Sequence, residues 1–128
     1  MHTRKIHDVT STTQDCESIC LRTIQYCQQI GGAHADAAHL QILQDCADIC
    51  ETTAKFASRS SAQQGSVTSA CADICELCAV SCEKFSGDAQ MKACANQCYL
   101  CAAACQQSSA SSSARAEGGR KVAQPPSH

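Results

Sequence analysis

The spacing of the cysteines constrains this chain more than any other feature. Cys71, Cys75, Cys78 and Cys82 are separated by four, three and four residues, and Cys94, Cys98, Cys101 and Cys105 repeat the pattern. At about 100° per residue, offsets of 4, 7 and 11 fall at about 40°, −20° and 20°. All four thiols of such a set then share one narrow stripe of a helix. Cys16, Cys20 and Cys27 fit the same stripe, with Thr23 in the unfilled slot. Cys46 and Cys50 fit it again, with Leu43 before them and Thr53 and Ala57 beyond. Stripes of this kind occupy the a and d positions of a heptad, the seam that faces a bundle core.

Four stripes predict four helices. The first is expected from about Thr12 to Ile30, with Ser11 and Gln14 spaced as a capping box and Gly31-Gly32 as its stop. The second is expected from about Ala35 to Ala57, and the third from about Ser66 to Phe85. Asp88 is a good N-cap for the fourth, which is expected to run to about Gln107. The body lacks proline, and β-branched residues rarely cluster in it, which favours helix over strand. The repeats agree: Cys46-Ala-Asp-Ile-Cys-Glu51 recurs as Cys71-Ala-Asp-Ile-Cys-Glu76, and Cys16-Glu-Ser-Ile-Cys20 is a looser copy. The expected fold is therefore all-α, an antiparallel four-helix bundle over residues 12–107 with cysteines lining the core. Ile19, Ile49, Ile74, Leu77 and Leu100 flank the stripes and are expected to supply conventional apolar packing. Residues 1–11 read as a flexible segment, and 108–128, rich in Ser, Ala, Gly and Pro, as a disordered tail.

Composition narrows the chemistry. The 128 residues suit one domain. A formal net charge of −2 gives no nucleic-acid footprint or membrane-surface patch. No apolar run approaches the roughly 18 residues of a membrane span, and the basic start has no apolar stretch of a secretory signal behind it. These features read as cytoplasmic. Thirteen cysteines in a reducing cytosol are better metal ligands than disulfides, and an odd number cannot all pair within a monomer. Side chains at i and i+4 of a helix stand about 5–6 Å apart at Cβ, too far for a disulfide, which wants about 3.8 Å. An ion between two thiolates fills that gap. As small hydrophobes alone, thirteen oxidisable thiols would be a poor substitute for Leu, Ile and Ala.

Thiolates select soft ions, chiefly Cu(I), zinc and iron–sulfur clusters. Cys75-x-x-Cys78 with Cys98-x-x-Cys101 counts like a four-cysteine zinc site, but zinc ribbons place each pair on a turn, and here both pairs lie inside helical repeats. Charge separates the cases. One Cu(I) per thiolate makes the core neutral, whereas zinc with four thiolates leaves each site at 2−, and buried charge is costly unless compensated. Multiple Cu(I) ions, on the order of one per cysteine, follow from that neutrality.

With this pattern on about residues 12–107, the chain resembles the bacterial copper storage proteins, bundles whose cores carry Cys-x-x-x-Cys pairs. The resemblance implies Cu(I) on two-coordinate bis-thiolate and related sites, a homo-oligomer (often a tetramer of bundles), and the cytosolic branch of the family. In an up-down-up-down bundle, Cys27, Cys82, His39 and Met91 meet at one end, with His34 in the loop there. His39 lies seven before Cys46 and Met91 three before Cys94, so both point inward. His39, Met91 and His34 are candidate weaker ligands at a mouth, and the family places His and Met residues similarly. Each also has a plainer role, Met91 as a core plug and His34 as a solvated loop residue. His2, His7 and His128, in the termini, read as incidental.

The expected function is binding and storage of copper, with copper ions as partners and neither nucleic acid nor membrane. No Ser/His/Asp arrangement suggests an enzyme, and Asp73 and Glu76 fall off the stripe. Two alternatives stand beside it. One is general soft-metal (zinc or cadmium) detoxification. The other is a thiol redox protein or sensor, although redox Cys-x-x-Cys motifs normally sit at an exposed helix N-terminus.

Overall fold

The computed structural model describes residues 8–123, and side chains up to Ser109. Four helices carry the chain: α1 (Val9–Ile30), α2 (Ala37–Ser58), α3 (Gln64–Glu83) and α4 (Ala89–Ala123). A 3-10 turn, Gly32–Ala35, sits between α1 and α2. Among the described residues there is no strand. α1 packs on α2 and α4, and α3 packs on the same two helices. This is the antiparallel four-helix bundle that short connections between successive helices enforce.

The helix ends have identifiable causes, and several differ from the sequence expectation. α1 starts at Val9, earlier than Thr12, because the Asp8 carboxylate accepts from Ser11 N at 3.0 Å. The Ser11/Gln14 capping box is therefore not the start, and residues 8–11 belong to the bundle. α1 stops at Gly31, whose φ of 78° suits glycine and whose N–H reaches Cys27 O at 3.0 Å. Asp36 caps α2, accepting from Ala38 N at 3.2 Å. Asp88 caps α4 as its sequence position predicts, accepting from Met91 N at 3.1 Å.

α4 does not end near Gln107. It continues through the Ser- and Ala-rich stretch to Ala123. Residues 108–123 lack proline, and alanine is the best helix former. Its next turn is also tied to α3, with the Thr68 and Ser109 hydroxyls 2.6 Å apart and Gln64 Nε2 donating to Ser108 Oγ at 3.2 Å. His2, His7 and His128 lie outside the described residues.

The core is the thiol array with Leu43, Met91 and inward alanines. Ile19, Ile49 and Ile74 are partly buried against it. Leu77 and Leu100, expected beside them, are instead 61% exposed. The geometry explains this: each lies six residues past a stripe cysteine, about 120° around the helix. α3 is long and apolar enough to cross a membrane, with a mean hydropathy of 1.2, where the sequence reading expected no such run. Its four cysteines raise that value, and all four are buried in the bundle core.

Candidate metal centre

Each helix turns its cysteine stripe inward, and all thirteen cysteines are buried and free of disulfides. The shortest sulfur–sulfur separation lies between helices. Cys46 Sγ is 3.7 Å from Cys75 Sγ and 3.9 Å from Cys16 Sγ. Cys50 Sγ lies 3.8 Å from both Cys75 and Cys101. Cys16 Sγ stands 3.9 Å from Cys98 Sγ. Cys71 and Cys75, at 3.8 Å, are an intrahelical i,i+4 pair. The Cys-x-x-x-Cys spacing thus aims thiols at the core, and neighbouring helices bring them together.

These separations fit shared ions better than bonds between sulfurs. A disulfide bond is about 2.05 Å long. With metal–thiolate bonds of about 2.3 Å, sulfurs 3.7–4.0 Å apart subtend roughly 107–121° at a common ion. That range runs from tetrahedral to trigonal, and a linear pair needs only a small spreading to about 4.6 Å.

Four groups of four thiols have all their sulfurs within 4.8 Å of one another. They are Cys50, Cys71, Cys75 and Cys101; Cys16, Cys46, Cys50 and Cys75; Cys16, Cys20, Cys46 and Cys98; and Cys20, Cys78, Cys94 and Cys98. Consecutive groups share members, so the thiols form a continuous ladder. Cys105 extends it beside Cys71 and Cys101, and Cys82 beside Cys78 and Cys94. Protons are shared unevenly along it. Hydrogen bonds from Cys16, Cys20 and other neighbours pull Cys46 down, and those from Cys20 and Cys78 pull Cys94 down. Bonds to Cys16 and Cys46 hold the proton on Cys20, and burial adds to that. A soft cation displaces the thiol protons when it binds.

Of the residues that register places at this bundle end, His39 and Met91 meet Cys27, while Cys82 lies beside Cys78 and Cys94. Cys27 Sγ is 3.6 Å from Met91 Sδ and 3.7 Å from His39 Nε2. Burial pushes the Cys27 thiol up to about 11, with the Asp88 and Cys94 charges adding to it. Burial lowers His39, so its imidazole is held neutral, the form that ligates metal. His39 Nδ1 lies 2.7 Å from Ser81 Oγ, a partner that orients the ring and leaves Nε2 facing Cys27. His34 sits apart from this trio. Its Nε2–H donates to Asp88 Oδ2 at 2.9 Å, and the same oxygen accepts from Tyr26 Oη at 2.8 Å. Phe85 lies between the two histidines, its ring centroid 4.2 Å from His34 and 4.9 Å from His39.

Sequence reasoning missed Ser81, Tyr26 and Phe85. Ser81 stands three residues past Cys78, at the edge of the stripe, which is its one sequence signal. Tyr26 and Phe85 carry none beyond their position next to stripe ends. Asp73 and Glu76 are exposed, as expected.

A thiol ladder of this kind agrees with what the chain is similar to. A family model described as copper storage protein matches residues 2–110. The chain belongs to the copper storage protein family. Among solved structures it resembles the Nmul_A1745 protein from Nitrosospira multiformis, with a TM-score of 0.77 and 33% identity over 84% of this chain and 97% of that one. It also resembles the Cu(I)-bound copper storage protein BsCsp3, with a TM-score of 0.72 and 29% identity over 77% of this chain and 92% of that one. No curated protein matches the chain.

Proposed function

We propose that this family member takes up multiple Cu(I) ions and stores them on its core thiolates. The observation that carries the reading is the set of linked four-thiol groups, which joins ten of the thirteen cysteines into shared soft-ligand sites. All thirteen cysteines serve as ligands: Cys16, Cys20, Cys27, Cys46, Cys50, Cys71, Cys75, Cys78, Cys82, Cys94, Cys98, Cys101 and Cys105. Met91 and His39 add a softer thioether and a neutral imidazole beside Cys27. His34 reaches an ion only after leaving Asp88. The ligands bind and release without turnover, so the role is not catalytic.

Cu(I) is favoured over zinc by charge. A core with one monovalent ion per thiolate is neutral, while four-thiolate zinc sites stack dianions in a low-dielectric interior. A reducing compartment such as the cytoplasm keeps these thiols available. An oligomer, the tetramer of the family resemblance, would bury the apolar Leu77, Val80 and Leu100 that α3 and α4 leave exposed. Sedimentation equilibrium reads this, and a monomer at every concentration would remove that part of the proposal.

The metal assignment is tested by loading reduced protein with Cu(I) in the presence of excess zinc. X-ray absorption is expected to show copper on two or three sulfurs and no retained zinc. Zinc that holds four sulfurs and resists Cu(I) would move the assignment to general soft-metal binding.

A further inference from the structure

The bundle end that gathers Cys27, His39 and Met91 is closed. His39 is 5% exposed, and Cys27 and Met91 are 0% exposed. Phe85 covers His39, His34 covers Phe85, and Asp88 pins His34. An ion arriving along the bundle axis meets this plug first.

Beside the plug, between the end of α3 and the start of α4, lies a cleft of about 410 Å³. Cys82 lines it. Cys82 is 1% exposed, while the other core cysteines are 0%. Two further clefts, one against Thr12 and Asp15 and one against Asp8 and Gln64, have no thiol in their walls. The Cys82 cleft also carries Glu83, Ser86, Lys92 and Asn96, and Phe85 forms a wall that it shares with the plug. Glu83 is steadied by Tyr99, whose Oη donates to Glu83 Oε1 at 2.9 Å. The cleft therefore combines a thiol, an ammonium, a carboxylate, an amide and a hydroxyl.

We propose that this cleft receives a small zwitterionic thiol peptide that carries Cu(I) on its own sulfur and passes the ion to Cys82. The proposal rests on the copper storage reading. A bare Cu(I) ion needs no space of this size, whereas the volume lies within the roughly 300–1,000 Å³ of small-ligand clefts. Lys92 takes the peptide carboxylate, Glu83 its ammonium, and Asn96 and Ser86 its amides. The transfer balances as a ligand exchange. Cys82 sulfur forms a bond to copper, the copper–carrier sulfur bond breaks, and the Cys82 proton leaves on the carrier thiol, with no change in oxidation state. Cys78 and Cys94 adjoin Cys82 and belong with Cys20 and Cys98 to one four-thiol group. An ion on Cys82 is thus one exchange from the ladder.

The test compares two copper donors in anaerobic stopped flow, Cu(I)–glutathione and the Cu(I) acetonitrile complex. Asn96→Trp fills the cleft from its exposed rim. It is expected to slow uptake from glutathione by about tenfold or more, within the roughly 1–3 decades that association rates span among mutants of one interface. Lys92→Glu is expected to slow it less, with a difference that fades in added salt. Both variants should match wild type with the acetonitrile donor and in final capacity. A copper-free readout uses S-methylglutathione, expected to shift the amide resonances of Gly87, Lys92 and Asn96. Wild-type uptake rates from glutathione in Asn96→Trp, or no amide shift at millimolar S-methylglutathione, would overturn the cleft assignment. Failure of wild-type protein to fill from either donor would instead count against storage, and the S-methylglutathione titration would still decide the cleft.

Discussion

The two ends of the bundle put opposite chemistries at equivalent places on the cysteine stripes. At one end stand Cys27, His39 and Met91, soft or borderline donors with their ligand atoms turned toward one another. At the other stand Thr13, Thr53 and Thr68, all fully buried. Their hydroxyls already have partners: Thr13 donates to Val9 O at 2.6 Å, Thr53 to Ile49 O at 2.7 Å, and Thr68 to Gln64 O at 3.1 Å with Ser109 Oγ of α4 2.6 Å away. Threonine fills a cysteine-sized space with a hard oxygen that already has a partner. Among the described residues no buried side-chain N or O atom lacks a partner. The linked thiols therefore stop at the hydroxyl end for want of soft donors, while at the other end Cys27 meets Met91 and His39.

The contrast can be broken most strongly at Met91, whose side chain is fully buried. Met91→Ala is expected to cost about 2–5 kcal/mol in chemical denaturation of copper-free protein. Met91→Leu should stay within about 1.5 kcal/mol yet still weaken copper held beside Cys27, which chelator competition would read. Equal copper binding by Met91→Leu and wild type would make Met91 a packing residue alone.

Asp88 comes next. Asp88→Ala loses the α4 cap together with the Tyr26 and His34 bonds, and should cost at least the roughly 1 kcal/mol typical of a lost cap. A variant as stable as wild type in urea would show that these bonds carry no net stability.

Acidification separates the ends without mutation. Burial depresses His39, so its folded-state affinity for a proton is below its ordinary value of 6.5. The stability it contributes is present above that value and is lost as pH falls through and below it. Asp88 follows at lower pH. Burial alone would raise it, but the His34, Met91 amide and Tyr26 bonds outweigh that and lower it from 3.8. Its contribution is lost only as pH falls below the ordinary carboxylate range. Thr13, Thr53 and Thr68 do not titrate. Hydrogen exchange of copper-free protein should therefore show amides near His39 opening first as pH falls, and uniform opening along the bundle would contradict this.

The smallest effects belong to the hydroxyl end. Thr53→Val removes one intrahelical hydrogen bond and should change stability by about 1 kcal/mol or less, with copper capacity unchanged. Thr53→Cys, next to Cys50 on the stripe, should instead raise capacity by about one ion, because it supplies the missing soft donor. A capacity that rises in neither variant would mean that something other than the hydroxyl ends the ladder.

Much of this was legible in the sequence because helical period is a strong signal. The three-four spacing is sufficient to turn every cysteine inward, and counting back from Cys46 and Cys94 places His39 and Met91 beside Cys27. What period could not supply was anything set by contacts between elements. The short sulfur separations depend on how neighbouring helices are offset. The Tyr26–Asp88–His34 bonds join residues far apart in the chain. The length of α4 was obscured because Ser-rich composition resembles a linker, while its hydroxyls bond to α3. The exposure of Leu77 and Leu100 was legible in principle, since the angle that aligns the cysteines turns these two outward.

The central claim is that the whole ladder holds copper. Its most direct test is an anaerobic titration of fully reduced protein with Cu(I) against a chelator of known affinity. On the order of ten or more ions should bind before the chelator competes, approaching one per thiolate as neutrality of the core requires. Saturation at about one to four ions would contradict the account and leave most of the thiol core as packing.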